Sequence, residues 1–119
     1  MDTISTVERI VKILDGKKAQ KVEVLRLEDI TTLADYFVIC TGTSSTHVKM
    51  LADEVDEKLD MGGAVTYHKE GYQSASWVLL DYGDVVVHIF HNEARAFYNL
   101  EHLWSDGERI NIDNWLKEE

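Results

Sequence analysis

Residues 77–90 read WVLLDYGDVVVHIF, two runs of large apolar side chains on either side of DYGD. Both runs are apolar at even and odd positions alike, whereas a strand with one wet face alternates, so both faces of this segment require a cover. A two-residue turn at Tyr82 and Gly83 folds it into a hairpin. In that register Asp81 faces Asp84, Leu79 faces Val86, Trp77 faces His88 and Ala75 faces Phe90 on one side. Leu80, Val85, Val78, Val87 and Ile89 line the other and read as core. The first set mixes a large aromatic, a histidine and two carboxylates, a mixture that suits an interface better than a sealed interior.

The flanking sequence supplies the cover. In residues 3–15, Ile4, Val7, Ile10, Val11 and Leu14 fall on one helical stripe, with a Ser5/Glu8 capping box and Gly16 as the stop. Strands are expected at 21–27 (KVEVLRL) and 36–41 (YFVICT). After TGTSST, Ser44 or Ser45 caps a helix running to Met61, with Val48, Leu51, Ala52, Val55 and Leu59 inward and a charged outer face. A short strand at 64–68 (AVTYH) and the polar turn KEGYQS lead to the hairpin. Asn92 then caps a helix over EARAFYNLEHLW with Phe97, Leu100 and Trp104 inward. The tail offers Ile110, Ile112, Trp115 and Leu116 to dock, without a decisive period. The order α-β-β-α-β-β-β-α predicts one α/β domain over 1–119: a mixed five-stranded sheet with helices mainly on one face. The other face of the hairpin must then meet solvent, a second subunit or a partner.

Composition narrows the function. Twelve basic against twenty-two acidic residues give a net charge of −10, which repels a phosphate backbone and argues against direct nucleic-acid binding. Lys17, Lys18 and Lys21 are the one basic cluster, explained by the end of the first helix. No apolar run approaches the ~20 residues of a membrane span, and a cytoplasmic protein is expected. The single cysteine, Cys40, excludes an intrachain disulfide and reads as a buried thiol.

No motif demands catalysis. GxSxG, GxxxxGK[ST], GxGxxG and HExxH are missing from the chain, and no cysteine pair is available for zinc. His88 and His91, three apart at a strand end, point to opposite faces and cannot readily share a metal. TGTSST sits where phosphates can bind, but a capped turn explains it equally. Asp81 and Asp84, placed opposite each other, leave three readings open: two solvated carboxylates, a bound cation, or a basic partner residue. No cofactor is expected.

Residues 35–55, DYFVICTGTSSTHVKMLADEV, and 77–104, WVLLDYGDVVVHIFHNEARAFYNLEHLW, closely resemble the Iojap-related ribosomal silencing factor family, with Asn92 in place of the proline of an HPEAR motif. The resemblance spans nearly the whole chain. It implies a relative of the nucleotidyltransferase fold, homodimeric when free, that binds the large ribosomal subunit through its L-fourteen protein. Docked there it blocks joining of the small subunit and represses translation without catalysis. The partner interface it implies comprises Trp77 and Leu80 as anchors, with Asp81, Tyr82, Asp84 and His88. The hairpin register sets Trp77 and Leu80 on opposite faces, so contact through both requires a different loop or a partner that wraps the strand edge. A working nucleotidyltransferase is the rival reading. It needs two acids one residue apart on the strand after the glycine-serine turn, and AVTYH has none.

Overall fold

A computed structural model describes residues 3–64 and 66–116 of the chain. The elements run α1 (Thr3–Gly16), β1 (Gln20–Arg26), β2 (Tyr36–Gly42), α2 (Ser45–Met61), β3 (His68–Glu70), β4 (Trp77–Asp81), β5 (Val85–His91), α3 (Asn92–Tyr98), α4 (Leu100–Leu103), β6 (Glu108–Ile110) and α5 (Asp113–Leu116). One mixed sheet carries all the strands in the order β3-β4-β5-β2-β1-β6. Among the described residues only β2 and β5 pair in parallel, at its centre, and there are six strands rather than five, because residues 108–110 of the tail add to the edge of β1.

The helices expected from periodicity form where the stripes placed them. Val7, Ile10, Val11 and Leu14 of α1 are buried, and so are Val48, Leu51, Ala52, Val55 and Leu59 of α2. Ile4, at the fraying end of the first stripe, is exposed. Both helices lie on the sheet face that carries Val38, Cys40, Val78, Leu80, Val85, Val87 and Ile89. Ile110, Ile112, Trp115 and Leu116 pack against the same core. Burial pushes the Cys40 thiol up to about 12, leaving it protonated and unreactive at neutral pH.

The TGTSST turn is closed by its own side chains. Ser44 Oγ accepts the His47 N–H at 3.0 Å, and His47 Nδ1 accepts the Thr43 N–H at 3.0 Å. The Thr43 and His47 N–H groups are therefore spent on the cap, which favours the capped-turn reading over a phosphate cradle. Gly42 is required here: a Cβ would lie 2.7 Å from Val48 Cγ2.

Several expectations change. Ser5 lies inside α1, which already runs from Thr3, instead of at its N-cap, and α3 is capped not by Asn92, its first residue, but by His91, whose Nδ1 accepts the Glu93 N–H at 3.5 Å. The strand expected at 64–68 forms at His68–Glu70, with Tyr67 N–H donating to Asp81 O at 2.8 Å; Val65 lies outside the described residues. The hairpin turns one residue later than predicted. Tyr82 N–H donates to Val85 O at 2.9 Å and Gly83 takes φ +91°, so glycine occupies the first turn position, as a type II′ hairpin prefers. Trp77 therefore pairs with Phe90, Leu79 with His88 and Asp81 with Val86. The slip is two residues, so the side chains of β4 and β5 keep their faces and only their partners change; outside the strands, Ala75 (φ +58°) packs into the core with Val78 and Leu80 instead of facing Phe90, and Asp84 Oδ2 accepts the Thr3 hydroxyl of α1 at 3.5 Å. Finally, the helix expected over 93–104 breaks at Asn99 (φ +47°), which leaves Phe97 81% exposed instead of inward.

The second sheet face answers the cover problem. Phe37, Ile39, Val86, Phe90, Leu25 and Leu27 lie beneath Leu100, Ala94 and Trp104, so the α3–α4 segment closes over β1, β2 and β5. At β4 the cover thins, and Trp77, Leu79 and Asp81 remain half-buried.

Candidate interface at the open edge of the sheet

Trp77 is held from several sides. Its indole N–H donates to His88 Nδ1 at 3.0 Å, and its ring stacks on Phe90 (5.0 Å between centroids) and tilts against Tyr98 (4.7 Å). Phe97 meets Tyr98 edge-on at 5.1 Å. An aromatic row thus runs outward from the sheet through Phe90, Trp77, Tyr98 and Phe97. On the same face, strand alternation places Leu79 and Asp81 of β4, and His68 and Glu70 of β3 through their pairing with Asp81 and Leu79.

The six expected interface residues divide between the two faces. Trp77, Asp81 and His88 share the open one. Leu80 is 0% exposed, within the core under α1 and α2, and reaches no surface. Tyr82 also turns to the helical side, donating its hydroxyl to Asp56 Oδ1 at 3.0 Å. Burial and the nearby carboxylate push its phenol up, while hydrogen bonds from Thr66 and Tyr82 hold Asp56 below the usual carboxylate range despite its own burial. Asp84 is exposed at the tip, where its carbonyl accepts the N–H groups of Asp35 and Tyr36. Asp81 and Asp84 do not oppose each other. Asp81 Oδ1 instead accepts the Gly83 N–H at 2.8 Å and braces the turn. Among the described residues no group of three or more His, Cys, Asp or Glu is placed to hold a metal ion. β3 carries one carboxylate, Glu70, not the pair that nucleotidyl transfer requires.

His88 is 3% exposed, a support for Trp77 rather than a contact of its own. Because Nδ1 accepts from the indole, the neutral ring carries its proton on Nε2, which is buried without a hydrogen-bond partner. Burial pushes this imidazole down to about 3. Below the ordinary histidine pKa of about 6.5 the unfolded chain takes up a proton that the native state refuses, so stability falls with pH by about 1.4 kcal/mol per unit. The loss reaches about 2 kcal/mol by pH 5, and His88→Asn, which keeps an acceptor for the indole, removes it. Urea unfolding of both proteins from pH 7 to 5 checks this. Parallel curves would show that His88 does not titrate on unfolding.

Leu79 belongs to the open face, where the hairpin register placed it, and Tyr98 joins it there without having been singled out from sequence. Strand parity with Trp77 was signal enough for Leu79; Tyr98 comes into reach only through the fold of α3 over the sheet.

Sheet, helices and face together define a class: a small mixed α/β protein with an acidic and aromatic sheet edge left open beside a short helix. The chain belongs to the ribosomal silencing factor family, whose model, described as ribosomal silencing factor during starvation (RsfS), matches residues 1–119. It is similar to ribosomal silencing factor RsfS of Halalkalibacterium halodurans, 43% identical over 103 residues that cover 87% of this chain and 88% of that protein. Identity to the protein of that name in Bacillus subtilis is 43% over 99 residues, covering 83% and 84%. An X-ray structure of a Chromobacterium violaceum protein superposes with a TM-score of 0.86 at 32% identity, covering 93% of this chain and 92% of that one.

Proposed function

We propose that this protein docks on the large ribosomal subunit through the L-fourteen protein and, by occupying the surface where the small subunit joins, represses translation. The observation that carries the reading is the acidity of the open face. Glu70 and Asp81 lie on it and Glu93 lines the cleft beside it, while the one Lys or Arg from residue 70 to residue 106, Arg95, is buried. Such a surface attracts a basic ribosomal protein and repels RNA, while the Trp77 row provides the part of the contact that excludes water. Docking of this kind is steric and needs no bond-making step. Among the described residues no helix is long and apolar enough to cross a membrane, and ribosomes place the activity in the cytoplasm. Free of the ribosome, the family resemblance supports a homodimer.

Sedimentation with purified large subunits tests the reading. Co-migration is expected at low salt and should weaken as salt rises, since the Debye length shrinks from about 10 Å at 0.1 M to about 3 Å at 1 M. Adding small subunits after the protein should yield fewer joined ribosomes than adding them before. Failure to co-migrate at low salt would remove the proposal.

A further inference from the structure

Phe97 is fully displayed on a segment that is otherwise tightly fastened. Its ring is 81% exposed, and Tyr98 beside it 49%. Burial on folding therefore gives Phe97 almost nothing, yet α3 is not loose. Arg95, two residues earlier, donates to Lys21 O at 2.6 Å, Thr41 Oγ1 at 2.9 Å and Glu101 Oε2 at 2.8 Å. One residue after Tyr98, Asn99 takes a left-handed conformation that ends the helix. An exposed aromatic on a rigid, deliberately terminated helix is a feature of a contact surface rather than of a core.

The chemistry of the surroundings says what fits. Ser76, His91, Glu93, Ala94, Phe97 and Tyr98 line a cleft of about 380 Å³. Two aromatic rings and one carboxylate are the groups that hold a cationic side chain, the rings through their quadrupoles and the acid through charge. Among the described residues no lysine or arginine lines the cleft. Tyr72, on the helical side, shows the contrast: Lys69 and Lys49 stand 4.7 Å and 5.4 Å from its ring centre. There the protein supplies its own cations.

We infer that the cleft between Phe97, Tyr98 and Glu93 seats an arginine or lysine side chain of the basic protein on which the open edge docks. The inference rests on the docking reading above and extends it, because the aromatic row makes the cleft continuous with Trp77.

Co-sedimentation with large subunits tests it, using wild type, Phe97→Ala, Phe97→Leu, Glu93→Gln and Trp77→Phe, with the free proteins compared by sedimentation velocity. Phe97→Ala is expected to weaken binding about ten-fold, and Phe97→Leu nearly as much because it keeps apolar area but loses the ring face. Glu93→Gln should weaken it about three-fold. Thermal unfolding of all three should match wild type. Wild-type binding by Phe97→Ala while Trp77→Phe is impaired would overturn the seat and leave the docking reading standing. Wild-type binding by Phe97→Leu would make the site an apolar plug and not a cation seat. A change confined to self-association would give the cleft to a second copy of the chain. Should the wild-type protein itself fail to sediment with the subunits, the docking reading falls and this inference with it.

Discussion

Replacing Trp77 with alanine is expected to abolish co-sedimentation with the large subunit and to lower the unfolding free energy by about 2–3 kcal/mol, less than the 3–5 kcal/mol typical of a fully buried aromatic. The two effects come from opposite sides of one ring. Inward, the indole stacks on Phe90 and donates to His88 Nδ1, so truncation opens a gap and leaves a second buried imidazole nitrogen without a partner. Outward, the half-buried ring lies on the open face of β4, where loss of a central aromatic costs an interface on the order of 2–4 kcal/mol. Trp77→Phe separates the contributions. It retains the stack with Phe90 and Tyr98 and loses the N–H, so it should recover most of the stability and only part of the binding. Thermal unfolding followed by co-sedimentation of the folded variants decides the matter. Folded Trp77→Ala that still travels with the subunit at wild-type levels would remove this residue from the interface.

How far the sequence could be read depended on which physical signal carried each feature. The α2 stripe and its serine cap are local, written in spacing and one side-chain oxygen, and both form, with Ser44 rather than Ser45 as the cap. Hairpin faces were equally legible within β4 and β5, since parity survives a two-residue slip, but not for Ala75 and Asp84 beyond the strand ends. The partners across the hairpin were not, because DYGD offers two turns and only the position of Gly83, at φ +91°, selects between them. That choice removed the supposed Asp81–Asp84 repulsion. Phe97 was misplaced for a different reason. In one unbroken helix, positions 97, 100 and 104 share a side, but Asn99 adopts a left-handed conformation that asparagine tolerates and that spacing cannot reveal. Leu80 entered the interface through the family resemblance, against a strand parity that already placed it with Val78 in the core. β6 had too few residues for any period to show, and its existence depends on the free edge of β1.

Arg95 gives the largest stability effect, and nothing in the sequence set it apart from a solvated helical arginine. Its guanidinium is nearly enclosed, and besides its three hydrogen bonds it approaches Glu23 at 3.5 Å, so one side chain ties α3 to β1, β2 and α4. Arg95→Ala would leave Glu23 and Glu101 facing each other's charge across a vacated site, where each already has one buried oxygen without a hydrogen bond. Removing one partner of a buried charge network costs about 3–5 kcal/mol. Part of that is recovered here because Arg109 lies 3.3 Å from Glu23, so about 3 kcal/mol is expected from urea unfolding. Arg95→Lys retains the charge but cannot make the forked contacts, and should fall between. Combining Arg95→Ala with Glu101→Gln should cost less than the two changes summed, since neutralising the acid relieves the charge that the first change exposes. Simple additivity would mean the pair is not coupled. The consequence for docking follows from the same geometry: Arg95 touches no partner, yet without it α3 loses the fastening that holds Phe97 and Tyr98 beside Trp77. Folded Arg95→Lys should therefore bind large subunits more weakly than wild type at a temperature where both are native, and equal binding there would show that α3 is positioned by its apolar contacts alone.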